Sequence, residues 1–402
     1  MNARGLVFDP SPGRLALGGA LSRLWPGPPA RGGPLAFRQI RVPEPFGPGW
    51  VLLEPRFVGI CGSDLMQVQL RADADNPLSG LVSFPHVMGH EIVAQAADSS
   101  WVVVDPWLGC LVREQECCPS CAEGLPALCH HAGQPVVPGA TGGGMHLGNV
   151  RGLPGGFASA MVAHRSQCRP LPGGLEPRAG VLADPLAVAL HAVDRSGFDG
   201  VGVALVLGAG TIGLCVTAAI RVMHPGAQVL VTAAWPHLAE RVRELGATPI
   251  GTGSPAVTDA VAERTGARTV RPWWGPPWLV AGGAAVVIDA VGSARTAEVA
   301  MRAVRPGGRV VRVGVGRSSR LQATLGYYKE IEVVGSNGSR AGDLDRALAL
   351  LIGGSVRYST WLTHSFPLAG WRRAFQTAGR PGRTGAVKVT LLPGAASEEV
   401  RC

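Results

Sequence analysis

The pattern of apolar and polar positions changes near residue 180. Before that point, short β-branched runs such as Val102-Val103-Val104 alternate with Gly- and Pro-rich stretches, a pattern typical of a β-rich domain with long loops. Residues 14–35 form an irregular Pro- and Gly-rich excursion within this part. From about residue 181, apolar strand-like runs alternate with helical segments. That alternation predicts βαβ units and a parallel sheet.

The same pattern predicts individual elements of the second half. The predicted strands cover residues 203–207, 229–232, 285–288 and 309–313, and the predicted helices cover residues 211–223, 236–245 and 293–304. Residues 267–283 interrupt the alternation, and their three tryptophans among prolines predict a surface loop. Beyond residue 340 the pattern predicts one helix over 344–351 and a last strand over 386–392. We therefore expect domains at residues 1–180 and 181–339, with a C-terminal segment at 340–402.

Composition excludes several classes of protein. A chain of 402 residues with 46% hydrophobic residues can form two or three domains with full cores, which excludes a disordered protein. The net charge of +9 is carried by arginine, because only Lys329 and Lys388 among the 37 basic residues are lysines. The chain also has 57 Gly and 33 Pro. The preference for arginine over lysine, together with these high Gly and Pro counts, indicates a compositional bias more than a nucleic-acid-binding surface. The remote alternative, a zinc-containing nucleic-acid-binding protein, depends on a cluster of six arginines: Arg302, Arg305, Arg309, Arg312, Arg317 and Arg320.

The N-terminus, one apolar stretch and the cysteines indicate where the protein works. The N-terminus lacks a charged segment followed by a long apolar one, so we expect no secretory signal. Residues 201–220 are uncharged over a length that could span a membrane, but their four glycines fit a strand, a turn and a helix better. Five of the nine cysteines lie within residues 110–129, a spacing typical of an intracellular metal site. We expect a cytoplasmic protein without membrane contact.

A glycine-rich loop follows the first predicted strand of the second half. The segment Gly208-Ala209-Gly210-Thr211-Ile212-Gly213 has the spacing G-x-G-x-x-G between a predicted strand and a predicted helix. Glycines permit the tight turn, and the helix N-terminus binds the pyrophosphate of a dinucleotide. The next strand ends at residues 231–235 without the carboxylate that hydrogen-bonds the ribose of NAD, which favours NADP slightly. His237 and Arg241 are the nearest candidates for a 2′-phosphate, and both NAD and NADP stay open.

Four cysteines are spaced to hold a metal ion. Cys110, Cys118, Cys121 and Cys129 form the pattern C-x7-C-x2-C-x7-C, and C-x2-C is the local spacing that wraps a tetrahedral zinc ion. The favoured interpretation is a structural zinc ion bound by these four thiolates. Cys117 is a fifth thiol beside them, so the sequence leaves open which four bind. The alternative is a degenerate lobe that binds no metal.

A second set of residues is spread more widely along the first half. Cys61 lies in Gly-Ile-Cys-Gly-Ser-Asp at 59–64, and His90 lies in Gly-His-Glu at 89–91. Followed by the four-cysteine lobe and the glycine-rich loop, these motifs resemble the zinc-dependent medium-chain dehydrogenases/reductases over nearly the whole chain. The resemblance implies an α/β fold, in which a Rossmann doubly wound parallel sheet joins a GroES-like β-rich catalytic domain. It also implies that residues 340–402 return to the catalytic domain, and that the protein is a homodimer or homotetramer.

The resemblance implies a catalytic zinc site as well. Cys61, His90 and Glu91 match residues that bind or support this metal in the family. Asp184 occupies the place of a ligating glutamate in the polyol and threonine dehydrogenase branch. Because aspartate is one methylene shorter than glutamate, the metal or the backbone would have to lie closer for Asp184 to bind.

Other matches concern the proton and the cofactor. Ser63 matches the hydroxyl that takes the substrate proton, and Asp64 matches the carboxylate that orients the histidine ligand. Where the family often has a histidine relay this chain has Met66, so the ribose hydroxyls, water or another histidine must carry the proton. The residues expected at the cofactor are Gly208, Gly210, Thr211, Ile212, Gly213, Ala233, Val313 and Val315.

The implied function is reversible hydride transfer between a nicotinamide cofactor, NAD or NADP, and a secondary alcohol and its ketone. Zinc acts there as a Lewis acid that lowers the pKa of the alcohol. The carboxylate of Asp184 favours polyols, sugars or amino alcohols over simple primary alcohols. The alternative within this fold is a zinc-independent reductase of enones or aldehydes, and retention of Cys61, His90 and Asp184 argues against it.

Overall fold

The computed structural model describes residues 1–17, 33–70, 76–137, 142–316 and 321–394. The strands of the first half are β1 (Asn2–Phe8), β2 (Leu35–Arg41), β3 (Trp50–Gly59), β4 (His86–Val87), β5 (Glu91–Ala96), β6 (Trp101–Val104), β7 (Met161–His164) and β8 (Cys168–Pro170). Those of the second half are β9 (Val203–Leu207), β10 (Gln228–Thr232), β11 (Thr248–Ile250), β12 (Arg268–Val270), β13 (Trp278–Val280), β14 (Ala284–Asp289), β15 (Val304–Arg312), β16 (Glu332–Gly335), β17 (Leu362–Pro367) and β18 (Lys388–Leu392). The excursion expected at residues 14–35 lies largely outside the described residues.

Helices connect these strands. Their bounds are α1 (Gly62–Val68), α2 (Pro119–Ala122), α3 (Ala183–Ser196), α4 (Thr211–Met223), α5 (Pro236–Glu244), α6 (Ser254–Thr265), α7 (Ala294–Ala303), α8 (Ala323–Lys329), α9 (Asp343–Ile352), α10 (Tyr358–Trp361), α11 (Trp371–Ala378) and α12 (Pro381–Thr384). The chain forms two compact units: unit 1 comprises Met1–Asp184, Ser339–Gly354 and Tyr358–Cys402, and unit 2 comprises Pro185–Gly338 and Ser355–Arg357. Each unit has a hydrophobic core of its own.

Unit 2 is built on a parallel sheet with the order β11-β10-β9-β14-β15-β16 among the described residues. Neighbouring strands all pair in parallel. Every residue of β9 is buried, as expected for a central strand of a parallel sheet. Counted from β9, the order is 3-2-1-4-5-6, which is the Rossmann topology. The predicted fold class is therefore confirmed.

The elements around the glycine-rich loop begin and end where the sequence predicts them. β9 and α4 cover residues 203–207 and 211–223, so the uncharged stretch at 201–220 is divided between a strand and a helix. In the described ranges, helices that are at once long and apolar enough to cross a membrane are absent.

Residues 267–283 correct one prediction. They are not a plain surface loop, because β12 and β13 pair as an antiparallel hairpin with Val270 opposite Trp278. The Trp278 ring packs edge-on against Tyr328, with 5.4 Å between ring centres. This contact anchors the hairpin, whereas Trp273 and Trp274 at its tip are exposed.

Unit 1 contains a larger sheet in the order β17-β18-β3-β5-β6-β8, with β7 also paired to β3, and a smaller sheet β2-β1-β4. The C-terminal segment corrects a second prediction, since it forms β17 and the helices α10, α11 and α12 besides the expected α9 and β18. These three helices have only four to eight residues, which is too short for a helical period of apolar residues to be recognised in the sequence. β18 pairs antiparallel with the end of β3, and the Ile60 amide donates to the Val389 carbonyl at 2.9 Å. The last strand thus lies beside the residues that precede Cys61.

Candidate metal centres and nucleotide loop

Cys61 is the residue immediately before helix α1, in the turn that follows β3. The backbone N–H of Cys61 donates to Oδ2 of Asp64 at 2.9 Å, which fixes the first turn of α1. The other carboxylate oxygen, Oδ1, lies 3.9 Å from Nδ1 of His90. Asp64 is buried and therefore holds both the turn that carries Cys61 and the ring of His90.

Three predicted metal ligands come together at this point. One ligand atom each of Cys61, His90 and Glu91 lies within 4.8 Å of the others. Glu91 opens β5 and is paired with Gly59 of β3. A Cβ atom at Gly59 would collide with the Glu91 carboxylate, so only glycine leaves room for that side chain. The sheet register and one glycine thus place the carboxylate beside the thiol and the imidazole.

Lys388 is a residue of this site that the sequence analysis missed. Its ammonium group forms an ion pair with the Glu91 carboxylate, and their side chains are only 1% and 2% exposed. It also donates to the carbonyl of Ile60 at 3.3 Å. A signal was present in the sequence, because Lys388 is one of only two lysines in an arginine-rich chain. Both of them are buried.

The charges around His90 favour a bound cation. Burial alone lowers the pKa of His90, but Asp64, Cys61 and Asp184 outweigh burial and raise that pKa well above 6.5. Burial raises the pKa of Asp184 to about 7, against the opposing charge of His90. The sulfur, nitrogen and oxygen donors are those that zinc prefers, and a divalent ion would satisfy the same electrostatic demand as a proton on His90. The residues present therefore fit a zinc ion.

The remaining predicted residues of this site have different positions. Asp184 is buried and close enough to His90 to affect its pKa, but it is not in the cluster of three ligand atoms. Ser63 is exposed and Met66 is partly buried. His146, another residue that the sequence analysis missed, packs beside His90 with 5.0 Å between ring centres. Burial, together with the charge of His90, lowers the pKa of His146 to about 3, so its ring is neutral at physiological pH.

The four-cysteine lobe forms a second cluster. One sulfur atom each of Cys110, Cys118, Cys121 and Cys129 lies within 4.8 Å of the others. Backbone amides point at these sulfurs: the amide of Cys118 is 3.3 Å from Sγ of Cys110, and that of His130 is 3.4 Å from Sγ of Cys118. The His130 amide lowers the pKa of Cys118 to about 6. Four crowded sulfurs with amide donors fit a tetrahedral zinc ion, and the fifth thiol, Cys117, is not in the cluster.

Arg113 holds the backbone around this lobe, a role that no local sequence pattern indicates. The side chain is buried and donates to the carbonyls of Leu108 at 2.7 Å, Gln134 at 2.9 Å and Gly144 at 2.6 Å. It thereby ties three loop segments together. A guanidinium group offers five N–H donors in a fixed planar arrangement. One arginine side chain can therefore donate hydrogen bonds to several loop carbonyls that have no partner in a β-sheet.

The nucleotide loop has the geometry that the glycine pattern predicts. Gly208 has a φ of +98°, which favours glycine, and its amide donates to Oγ1 of Thr232 at 2.7 Å. A Cβ atom at Gly213 would collide with the carbonyl of Gly208, whereas one at Gly210 would meet no atom within 4 Å. Gly210 immediately precedes α4, so Thr211 and Ile212 open that helix. The helix is thus preceded by a residue without a side chain, as the dinucleotide-binding motif requires at the helix N-terminus.

The other predicted cofactor residues lie at the same end of the sheet of unit 2. Ala233 follows β10, and Val313 and Val315 follow β15. The amide of Val313 donates to the carbonyl of Asp289 at 3.0 Å. Asp289 itself is buried and accepts from the amides of residues 291 and 292 and from the hydroxyl of Thr296. Asp289 therefore organises the loop after β14, a role that the sequence analysis did not foresee.

The two candidates for a 2′-phosphate are arranged differently. The guanidinium of Arg241 lies 3.1 Å from the carboxylate of Glu240 and 3.0 Å from that of Glu244, so its charge is already balanced. His237 stacks on the exposed ring of Trp235, with 6.2 Å between ring centres. The structure thus leaves His237 as the better placed of the two.

Three of the four described arginines in the cluster at residues 302–320 have partners within the protein. Arg302 is buried and pairs with Glu298, and Arg309 pairs with Glu332. Arg312 donates to the carbonyl of Gly292. Arg317 and Arg320 lie outside the described residues. The described arginines therefore act mostly within unit 2.

Comparison with known proteins gives matches over both units. The model of the alcohol dehydrogenase GroES-like domain matches residues 47–173, and that of the zinc-binding dehydrogenase matches residues 211–353. The chain is 28% identical to 2-dehydro-3-deoxy-L-galactonate 5-dehydrogenase of Pseudoalteromonas atlantica, over 81% of this chain and 87% of that protein. It is 26% identical to sorbitol dehydrogenase of Halalkalibacterium halodurans, over 87% and 94%. Among solved structures, the alcohol dehydrogenase of Thermus sp. ATN1 has a TM-score of 0.69 and 26% identity, over 97% and 99%.

Proposed function

Because the chain belongs to the zinc-dependent medium-chain dehydrogenase/reductase family, we propose that it oxidises a secondary alcohol and reduces the matching ketone with NAD or NADP. The observation that carries this proposal is the cluster of Cys61, His90 and Glu91 next to Ser63, in a chain that also has the glycine-rich loop. Thiol, imidazole and carboxylate within 4.8 Å of one another are the donors of a catalytic zinc site.

We propose the following roles around the reacting alcohol. When bound, zinc supplies a Lewis acid to the substrate oxygen and the cofactor accepts the hydride. Cys61, His90 and Glu91 hold the metal, with Asp184 as the candidate further ligand, and Asp64 orients His90. Ser63 accepts the hydroxyl proton of the substrate. Since Ser63 is exposed, it passes the proton to water without the histidine that Met66 replaces.

The second metal site and the cofactor complete the proposed assignment. Cys110, Cys118, Cys121 and Cys129 bind a structural zinc ion that holds the lobe together. The cofactor pyrophosphate binds at Gly208–Gly213, its adenosine ribose near Ala233, and its nicotinamide near Val313 and Val315.

The relatives support a proposal for the substrate class. The proteins named above act on a sugar acid and on sorbitol, in which a secondary alcohol is flanked by further hydroxyl groups. We propose a polyol, sugar or related hydroxy compound for this chain. We further propose a cytoplasmic homodimer or homotetramer, which light scattering after size-exclusion chromatography would measure.

One experiment tests the activity directly. Purified protein is assayed with polyols, sugar acids, amino alcohols and simple primary alcohols, each with NAD⁺ and NADP⁺, by the absorbance of the reduced nicotinamide. Metal analysis accompanies the assay, and two zinc ions per chain are expected from the two clusters. A single zinc ion per chain, with activity on enones or aldehydes alone, would contradict the proposal and support the zinc-independent reductase.

A further inference from the structure

A cavity of about 420 Å³ lies in the C-terminal part of unit 1, away from the residues assigned above. It is formed by β17, α11 and α12, and His364, Phe366, Arg373, Arg380, Arg383 and Thr384 line it. Its volume is in the range of small-molecule binding sites. None of its lining residues belongs to the metal clusters or to the nucleotide loop.

The described lining of the cavity is positively charged. Three arginines face the cavity, and none of its described lining residues is acidic. Within the described part of the chain, the side chains of Arg373 and Arg383 form neither a hydrogen bond nor an ion pair. By contrast, the guanidinium group of Arg241 in unit 2 is paired with the carboxylate of Glu244 at 3.0 Å. Among the described residues, the guanidinium groups of Arg373 and Arg383 therefore face the cavity without a carboxylate partner.

An aromatic ring forms another wall of the cavity. The guanidinium of Arg373 lies over the ring of Phe366, 5.8 Å from its centre. The ring of His364 is parallel to that of Phe366, with 6.4 Å between centres and 2° between planes. Burial, with a contribution from Arg373, lowers the pKa of His364, so this ring is neutral and adds a polar but uncharged surface.

The backbone that carries two of the arginines is fixed. The hydroxyl of Thr384 lies 3.0 Å from the carbonyl of Thr377 and 3.1 Å from that of Arg380. The amide of Arg383 donates to the carbonyl of Arg380 at 2.9 Å. These bonds join the end of α11 to α12, so Arg380 and Arg383 approach the cavity from a defined turn. A ligand would meet a largely formed site.

We propose that this cavity binds a phosphate monoester, with its phosphate group among Arg373, Arg380 and Arg383 and its organic part against Phe366. Guanidinium groups match the geometry of phosphate oxygens. A phosphate dianion can also neutralise the charge of more than one guanidinium group, whereas a carboxylate neutralises only one. The cavity is larger than a phosphate ion requires, which leaves space for an organic group. The proposal is independent of the dehydrogenase activity.

Isothermal titration calorimetry of the zinc-loaded protein tests this site. The protein is saturated with cofactor, so that the nucleotide loop is filled, and the ionic strength is held constant. The probes are phenyl phosphate and inorganic phosphate. Binding of phenyl phosphate more tightly than inorganic phosphate supports the monoester, and equal binding assigns the site to free phosphate instead. Absence of binding by either probe would overturn the proposal.

Variants locate the binding. Arg373→Gln and Arg383→Gln should each weaken phenyl phosphate about tenfold, the effect of losing one charge-assisted hydrogen bond. Arg383→Lys should weaken it less, because the charge remains without the planar fork. Arg271→Gln is the matched control, since Arg271 is an exposed arginine of unit 2. Unchanged binding in both glutamine variants, or an equal loss in the control, would show that the cavity is not the site.

Discussion

The carboxylate of Glu91 and the ammonium group of Lys388 form an ion pair whose two side chains are almost completely buried. Glu91 opens β5 and Lys388 opens β18, and β3 lies between these two strands in the sheet. The two side chains therefore meet across the C-terminal end of β3, where Gly59 has no side chain that would separate them. The candidate metal centre thus depends on a strand from the far end of the chain.

Removal of this lysine should affect both stability and metal content. Lys388→Met leaves the Glu91 carboxylate buried without its cation, so we expect a loss of about 3–5 kcal/mol in the free energy of unfolding. We also expect less zinc at the catalytic site. Denaturant unfolding and metal analysis measure these effects.

The control is the only other lysine of the chain. Lys329 is also buried, but it donates to the carbonyls of Met301 and Arg302 in unit 2. Lys329→Met should therefore keep two zinc ions per chain. If Lys388→Met keeps both ions as well, the ion pair does not position Glu91 for the metal.

The catalytic metal assignment gives a second prediction. Cys61→Ser or His90→Ala should abolish turnover and leave cofactor binding largely intact, because both residues belong to the ligand cluster of unit 1 and the nucleotide loop belongs to unit 2. Steady-state kinetics and quenching of protein fluorescence by the reduced cofactor measure the two properties. Near-normal kcat in either variant would show that the assignment is wrong.

Two glycines of the nucleotide loop should respond differently to alanine. A Cβ at Gly210 has open space around it, so Gly210→Ala should keep the thermal stability and weaken cofactor binding, where the methyl group meets the pyrophosphate. A Cβ at Gly213 collides with the carbonyl of Gly208, so Gly213→Ala should lower the melting temperature as well. Thermal unfolding and cofactor titration separate the two effects. Equal cofactor affinity in Gly210→Ala and wild type would place the cofactor elsewhere.

Acid should destabilise the protein partly through His86. This residue is buried, its Nδ1 is 2.9 Å from the carbonyl of Ser83, and burial lowers its pKa from 6.5 to about 4. Between these pH values the unfolded chain binds the proton more readily, so stability falls as the pH decreases. The loss from this group approaches about 3 kcal/mol below pH 4.

The measurement compares wild type with His86→Gln in denaturant unfolding at a series of pH values. The variant should start less stable and lose less stability as the pH falls from 6.5 to 4. Parallel curves for the two proteins would mean that His86 does not remain neutral in the folded state.

Proton release provides a fifth prediction. Residue 66 is methionine, and we propose that Ser63 passes its proton to water. We therefore expect slower or more pH-sensitive proton release than in relatives that have the histidine. Met66→His should change the pH dependence of kcat, with more activity on the acidic side. An unchanged pH–rate profile would argue against a relay at this position.

Sequence alone predicted those parts of the fold that local pattern determines. β9 and α4 were predicted with correct bounds, because a buried strand, a glycine loop and an apolar helix follow each other directly. The β12–β13 hairpin was not, since its strands are short and the prolines around Trp278 hide the alternation. The short helices of the C-terminal segment were missed for a similar reason.

At the candidate site, contacts between residues far apart in the sequence could not be predicted from the sequence. Motifs indicated Cys61, His90 and Glu91, and the structure brings these three together. The contact between Glu91 and Lys388 depends on the position of β18 in the sheet, which no local pattern encodes. Asp184 shows the opposite case, because its place in a motif did not bring its carboxylate into the cluster.

The order of elements along the chain also has a consequence for biosynthesis. Unit 2 is almost one continuous segment, Pro185–Gly338, whereas the large sheet of unit 1 is completed only by β18. Since domains fold as units while the ribosome extends the chain, the nucleotide-binding unit can fold before the catalytic one. Until residues 388–392 are synthesised, the end of β3 at Val58 and Gly59 lacks its partner strand and Glu91 lacks its cation. A nascent chain interrupted shortly before β18 would therefore present an open sheet edge to chaperones and to aggregation.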